Sequence, residues 1–162
     1  MKQKYRLQPL LQIKERARQR AEILLAKAIA RLEREKKQLK KLEEEKQKII
    51  ARRKEVRREL HEKMLSGNAQ ARDSQIRGNY LQRLEEDQKK KETEIEAQKK
   101  LIEECEVQVK RSRRDYIDAA KELRIMEKHK ELWRKKLDLE LSRQEEKEMD
   151  ELGNVIFQLK QM

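Results

Sequence analysis

Aromatic side chains are nearly missing from this sequence: one Trp, three Tyr and one Phe amount to 3% of its residues. With 47% of residues charged as well, the bulky apolar stock for a layered core is lacking, which excludes a compact enzyme-sized globule. Proline occurs once and glycine three times. Long uninterrupted helices are therefore permitted almost throughout. The single cysteine, Cys105, cannot form an internal disulfide, which fits a reducing cytoplasm. No apolar run approaches the ~20 residues that cross a bilayer. The first apolar cluster, Leu7 to Ile13, is short and broken by Gln8, Pro9 and Gln12, so it reads as no secretory signal.

What is present is a stock of Lys, Arg, Glu, Gln, Leu and Ala, the strong helix formers. Disorder is the competing reading of such polarity, and periodicity separates the two. From Leu81 a seven-residue series runs Leu81, Gln88, Ile95, Ile102, Val109, Tyr116, Leu123, Lys130, Leu137. Its companion runs Leu84, Lys91, Gln98, Cys105, Ser112, Ala119, Met126, Trp133. The first half carries a less regular pair: Ala21, Ala28, Glu35, Leu42, Ile49, Val56, and Leu25, Leu32, Leu39, Lys46, Arg53, Leu60. These are coiled-coil seams, soft around Gln88 to Gln98 and at Lys46 and Arg53. Strand-like alternation never persists.

Two of the three glycines fall in "LSGNAQARDSQIRGNY" (65 to 80), the one place suited to a helix break. Ser66, Gly67 and Asn68 can end a first helix, and Asp73 or Ser74 can cap a second. A turn at Gly78 and Asn79 is the alternative. The expected fold is all-α: a long antiparallel two-helix coiled-coil hairpin, with helix one over about 8–65, a tip loop over about 66–74 and helix two over about 75–160. In that register residue i faces one near 140 minus i, which sets Leu39 opposite Ile102, Leu32 opposite Val109, Leu25 opposite Tyr116, and Leu7 beside Trp133.

The second helix outruns the first. An apolar stripe continues through Leu137, Leu141, Met149, Leu152, Ile156 and Leu159, leaving roughly 25 residues, nearly 40 Å of helix, with no intramolecular cover. A frayed tail, self-association and a docking surface for another protein are all open. Charge is lopsided too: the net +12 lies wholly in residues 1–70, and residues 71–162 sum to about zero. Near the N-terminus Lys2, Lys4, Arg6, Lys14, Arg16, Arg18 and Arg20 meet only Glu15, which suits an acidic partner, an anionic surface or plain solvent. Nucleic-acid motifs and base-stacking aromatics are lacking. His61 and His129 stand alone in charged helix without a ligand set around them, and no nucleophile constellation or phosphate loop occurs, so neither a metal, another cofactor nor catalysis is expected.

Three segments carry a resemblance: "KYRLQPLLQIKERARQRAEILLAKA" (4 to 28), "GNYLQRLEE" (78 to 86) and "EEKEMDELGN" (145 to 154). In this order they resemble the FliJ/YscO (SctO) family of flagellar and virulence type III secretion systems, over nearly the whole length. The longer, more polar break favours the virulence branch. The resemblance implies a non-enzymatic central stalk, similar to the γ subunit of rotary ATPases, that links and stimulates the hexameric export ATPase and contacts the export gate. Such a protein is cytoplasmic, peripheral at the inner-membrane export apparatus, monomeric in isolation, and also binds export chaperones. On that basis Arg6, Leu7, Leu10, Leu11, Leu141, Met149, Asp150, Glu151, Leu152 and Ile156 would face the ATPase, and Asn79, Tyr80, Leu81 and Leu84 the gate. Two other readings stay open: a generic scaffold that self-associates through its uncovered stripe, and a basic helical nucleic-acid binder.

Overall fold

The computed structural model describes residues 4–67 and 70–161 and is all-helical. Two long helices, α1 (Gln8–Leu65) and α2 (Ala71–Gln161), pack against each other as a hairpin. Pro9 sits in the first turn of α1, where its missing N–H costs no intrahelical bond. Ahead of it the Gln8 amide donates to the Tyr5 carbonyl at 3.1 Å, which turns the chain into the helix.

The break falls at Gly67, whose φ of 70° is left-handed. That conformation closes α1: the Gly67 amide donates to the Met64 carbonyl at 3.3 Å, and Ser66 donates its amide to Glu62 and its hydroxyl to the Lys63 carbonyl. Asn68, expected to share this role, lies outside the described residues. Helix α2 starts at Ala71, four residues ahead of the expected 75, and the Gln70 carbonyl accepts from the Ser74 amide at 3.1 Å. Asp73 and Ser74 are thus within the first turn rather than capping it. There the Asp73 carboxylate still complements the positive end of the helix. Gly78 and Asn79 are helical, so the alternative turn is not the one used.

The chain divides into two compact units, Leu24–Arg113 and Met1–Ile23 with Arg114–Met162. In the first, Leu42, Val56, Leu84, Ile95, Ile102 and Cys105 are buried, each on a seam series read from the sequence. The polar seam positions meet polar partners. Arg53 donates to the side-chain amide oxygen of Gln88 at 2.7 Å, Lys46 pairs with Glu92 at 3.1 Å, and Lys91 with Glu45 at 3.0 Å. Gln98 donates to both the backbone oxygen and the carboxylate of Glu35, at 3.1 and 2.6 Å. Partner numbers in this unit add to between 133 (Gln98 with Glu35) and 142 (Lys36 with Glu106), which matches the expected register. Slippage by a heptad would set Arg53 against Leu81 or Ile95 and Gln98 against Ala28 or Leu42 in place of these partners, so the soft patch favours this register.

In the second unit Tyr5, Leu11, Ala21 and Leu123 are buried, and Met126, Trp133 and Leu137 half-buried. Lys14 reaches Glu122 at 2.6 Å and Lys130 reaches Gln8 at 2.8 Å. Among the described residues no large side chain is completely shielded, because two helices can cover a seam from one side only.

Candidate partner-binding surfaces

The terminal unit is built around Tyr5, which stands just outside α1 and is 8% exposed. Its hydroxyl shares a 2.7 Å hydrogen bond with His129 Nδ1, and its ring lies 5.3 Å from that of Trp133 at 50°. His129 is therefore a clasp for the N-terminal segment, a role its isolation in the sequence did not suggest. Leu7, 39% exposed, lines the hollow beside Trp133, but Tyr5 is the residue whose ring packs, tilted, against the indole. Beyond Trp133 an open groove continues between Tyr5 and Pro9 on one side and Leu137 and Leu141 on the other. Lys4, Arg6, Lys130 and Arg134 give it a cationic rim. Of the expected N-terminal contact residues, Arg6, Leu7 and Leu10 are open to solvent, whereas Leu11 is only 5% exposed and belongs to the core.

Past Leu137, every residue from 138 to 161 is exposed. Two things change there together. The seam series would next fall on Glu140, Gln144, Lys147, Glu151, Asn154 and Gln158, all polar. The apolar residues instead fall out of phase with both series, at Leu141, Met149, Leu152, Val155, Ile156 and Leu159, which re-aims the stripe. At 3.6 residues per turn they occupy an arc of about 120°. Their exposures run from 48% at Leu141 to 69% at Met149. Acids dominate the ionisable groups here: Glu146, Asp150 and Glu151 lie around the arc, Glu145 and Glu148 fall on it ahead of Met149, and only Arg143 and Lys147 oppose them locally. Val155, 53% exposed, forms one edge of this arc, Phe157, 61% exposed, lies about 80° beyond the other, and both were legible only as apolar letters off the seven-residue series. Just upstream, Lys135 holds the Glu131 carboxylate below its ordinary range through a hydrogen bond and its charge.

In the unit containing the turn, Asn79 and Tyr80 are exposed on the third turn of α2. Arg52 stays firmly cationic, its pKa raised by the bond to Glu55 at 2.6 Å and next by Tyr80. Leu81 is half-buried and Leu84 is 8% exposed, so these two serve the seam and leave Asn79 and Tyr80 as the outward pair. Sequence reading missed three apolar residues beside the turn: Met64, Leu65 and Ile76, 55%, 76% and 58% exposed. Their signal was position, since Met64 and Leu65 directly precede the helix stop.

Cys105 is 4% exposed and packs as a small apolar side chain. Among the described residues no His, Cys, Asp and Glu cluster is placed to hold a metal, and no helix is long and apolar enough to cross a membrane.

Comparison with known proteins agrees with this architecture. No curated protein matches the sequence. Among solved structures, that of the YscO homologue CT670 from Chlamydia trachomatis is similar, with a TM-score of 0.76, 28% identity and 98% of each chain covered. The family model described as YscO-like protein matches residues 2–162. A helical hairpin with this series of seams, matched over nearly its full length by that model, belongs to the YscO-like family.

Proposed function

We propose that the chain is a central stalk of a type III export apparatus, with its terminal unit seated against the hexameric export ATPase and its turn directed at the export gate. Membership of the YscO-like family itself implies a non-catalytic, stalk-like type III secretion protein. The observation that carries the finer reading is the exposed tail at 138–161, acidic in its first half and apolar on one arc over 149–159, beside a groove with a cationic rim. Arg6, Leu7, Leu10, Leu141, Met149, Asp150, Glu151, Leu152 and Ile156 form the ATPase contact, with Leu11 supporting them from the core. Asn79 and Tyr80 form the gate contact, with Leu81 and Leu84 holding them in place. Export chaperones are a further class of partner.

A stalk performs no chemistry. It biases a ring by binding one subunit conformation more tightly than another, and a bias of 1.4 kcal/mol already changes a population ratio tenfold. The intact chain should stimulate turnover of its export ATPase, and deletion of residues 145–162 should abolish the stimulation without lowering the helicity of the rest. Unchanged turnover on adding intact protein would refute the stalk reading. The exposed apolar tail also favours a second reading, a scaffold that dimerises through it. Sedimentation at several concentrations separates the two, because a stalk stays monomeric and a scaffold does not.

A further inference from the structure

The stalk reading leaves the outer face of α1 in the unit containing the turn unused. There Lys27, Arg34, Lys41 and Lys48 recur at every seventh residue. Seven residues of helix advance about 10.5 Å, so these cations form a column about 32 Å long. A seven-residue repeat holds its orientation toward a coiled-coil partner, so the whole column points away from α2. All four side chains are exposed, and among the described residues none makes an ion pair. Neighbouring cations behave differently: Lys36 and Lys46 turn inward to Glu106 and Glu92 on α2. The columns on either side add Arg31 and Lys37 against Glu44 and Glu45, so the face remains strongly positive. It ends at Glu55, the next residue of the column, which is already bound to Arg52.

We propose that this column adsorbs the protein to an anionic bilayer surface, through lipid phosphate groups. A plane can offer a phosphate to every cation of the column at once, whereas a duplex curves away from it. The aromatics that a single-stranded nucleic acid would stack on are also missing: Tyr80 is the one aromatic residue between Leu24 and Arg113. At moderate salt the spacing is close to the Debye length, so each cation contributes nearly independently. Each Lys or Arg at an anionic surface is worth about fivefold in partitioning, and the four together several hundredfold.

The test is co-sedimentation of the full chain with vesicles of phosphatidylcholine containing about one-third phosphatidylglycerol, at about 0.1 M salt. Binding is expected to these vesicles and not to pure phosphatidylcholine, and to weaken steeply with added salt. Combining Arg34→Gln, Lys41→Gln and Lys48→Gln should weaken it about a hundredfold while circular dichroism is unchanged. The same number of changes on α2, Lys99→Gln, Lys100→Gln and Lys110→Gln, should leave the column's contribution intact and weaken binding far less. Soluble glycerol phosphate at equal phosphate concentration should not compete, because the surface and not the single phosphate is recognised. Equal binding to neutral vesicles, full binding by the α1 triple variant, or competition by glycerol phosphate would overturn the proposal. So would tighter binding to duplex DNA than to anionic vesicles with the same loss in that variant.

Discussion

Within one helix and one unit, the stretch from Arg114 to Leu137 and the stretch from 138 to 161 share helicity but not fate. In the first, every third or fourth residue is buried or half-buried, as at Leu123, Met126, Trp133 and Leu137. In the second none is. Absence of α1 alongside is only half of the reason. The apolar stripe also leaves its seven-residue phase after Leu137, so a longer α1 in the same register would meet Glu140, Gln144 and Lys147. Polarity alone does not open a seam, since Gln88, Lys91 and Gln98 all have a partner across from them. A tail whose pattern is out of phase with its own hairpin is not patterned for that hairpin's seam, and its apolar arc stays exposed.

That contrast can be broken by substitution. Leu123 is 7% exposed in the paired stretch, and Leu123→Ala should destabilise the chain by about 2–3 kcal/mol, the low end for a buried leucine because a two-helix seam collapses readily. Thermal melting by circular dichroism would register it, and a loss under 1 kcal/mol would show that the paired stretch contributes little. Tyr5→Phe should cost about 1 kcal/mol by removing the bond to His129. The ring would still cover Trp133, so fluorescence of this sole tryptophan should keep its emission maximum until unfolding; a red shift in the native variant would mean that the hydroxyl alone holds the N-terminal segment down. The smallest effect belongs to the tail. Leu152→Ser with Ile156→Ser should change the melting free energy by about 0.5 kcal/mol or less, as for exposed sites elsewhere, while stimulation of the ATPase falls sharply. A large loss of stability would place the tail in the fold rather than at an interface.

Much of this was legible from letters because a coiled coil writes its packing into a single period. Every residue of the α2 series from Leu81 to Leu137 is buried or half-buried, including the polar ones. What the period could not convey was side-chain reach. Tyr5 precedes α1 and follows no heptad, so its packing against Trp133 and its bond to His129 depend on a turn that composition does not specify. The start of α2 was misplaced for a related reason: Asp73 and Ser74 are good caps in isolation, but a helix can begin earlier where the chain leaving Gly67 permits it. Leu11 and Leu84 read as contact residues from the resemblance, and the seam claims both.

Amide hydrogen exchange along α2, measured on the free chain and again with the export ATPase, tests the docking of the tail most directly. Free protein should exchange slowly over Arg114 to Leu137 and quickly over 138–161, and the ATPase should slow the tail while leaving the paired stretch as it was. A tail already protected in the free chain, or one that the ATPase leaves unchanged, would contradict the account.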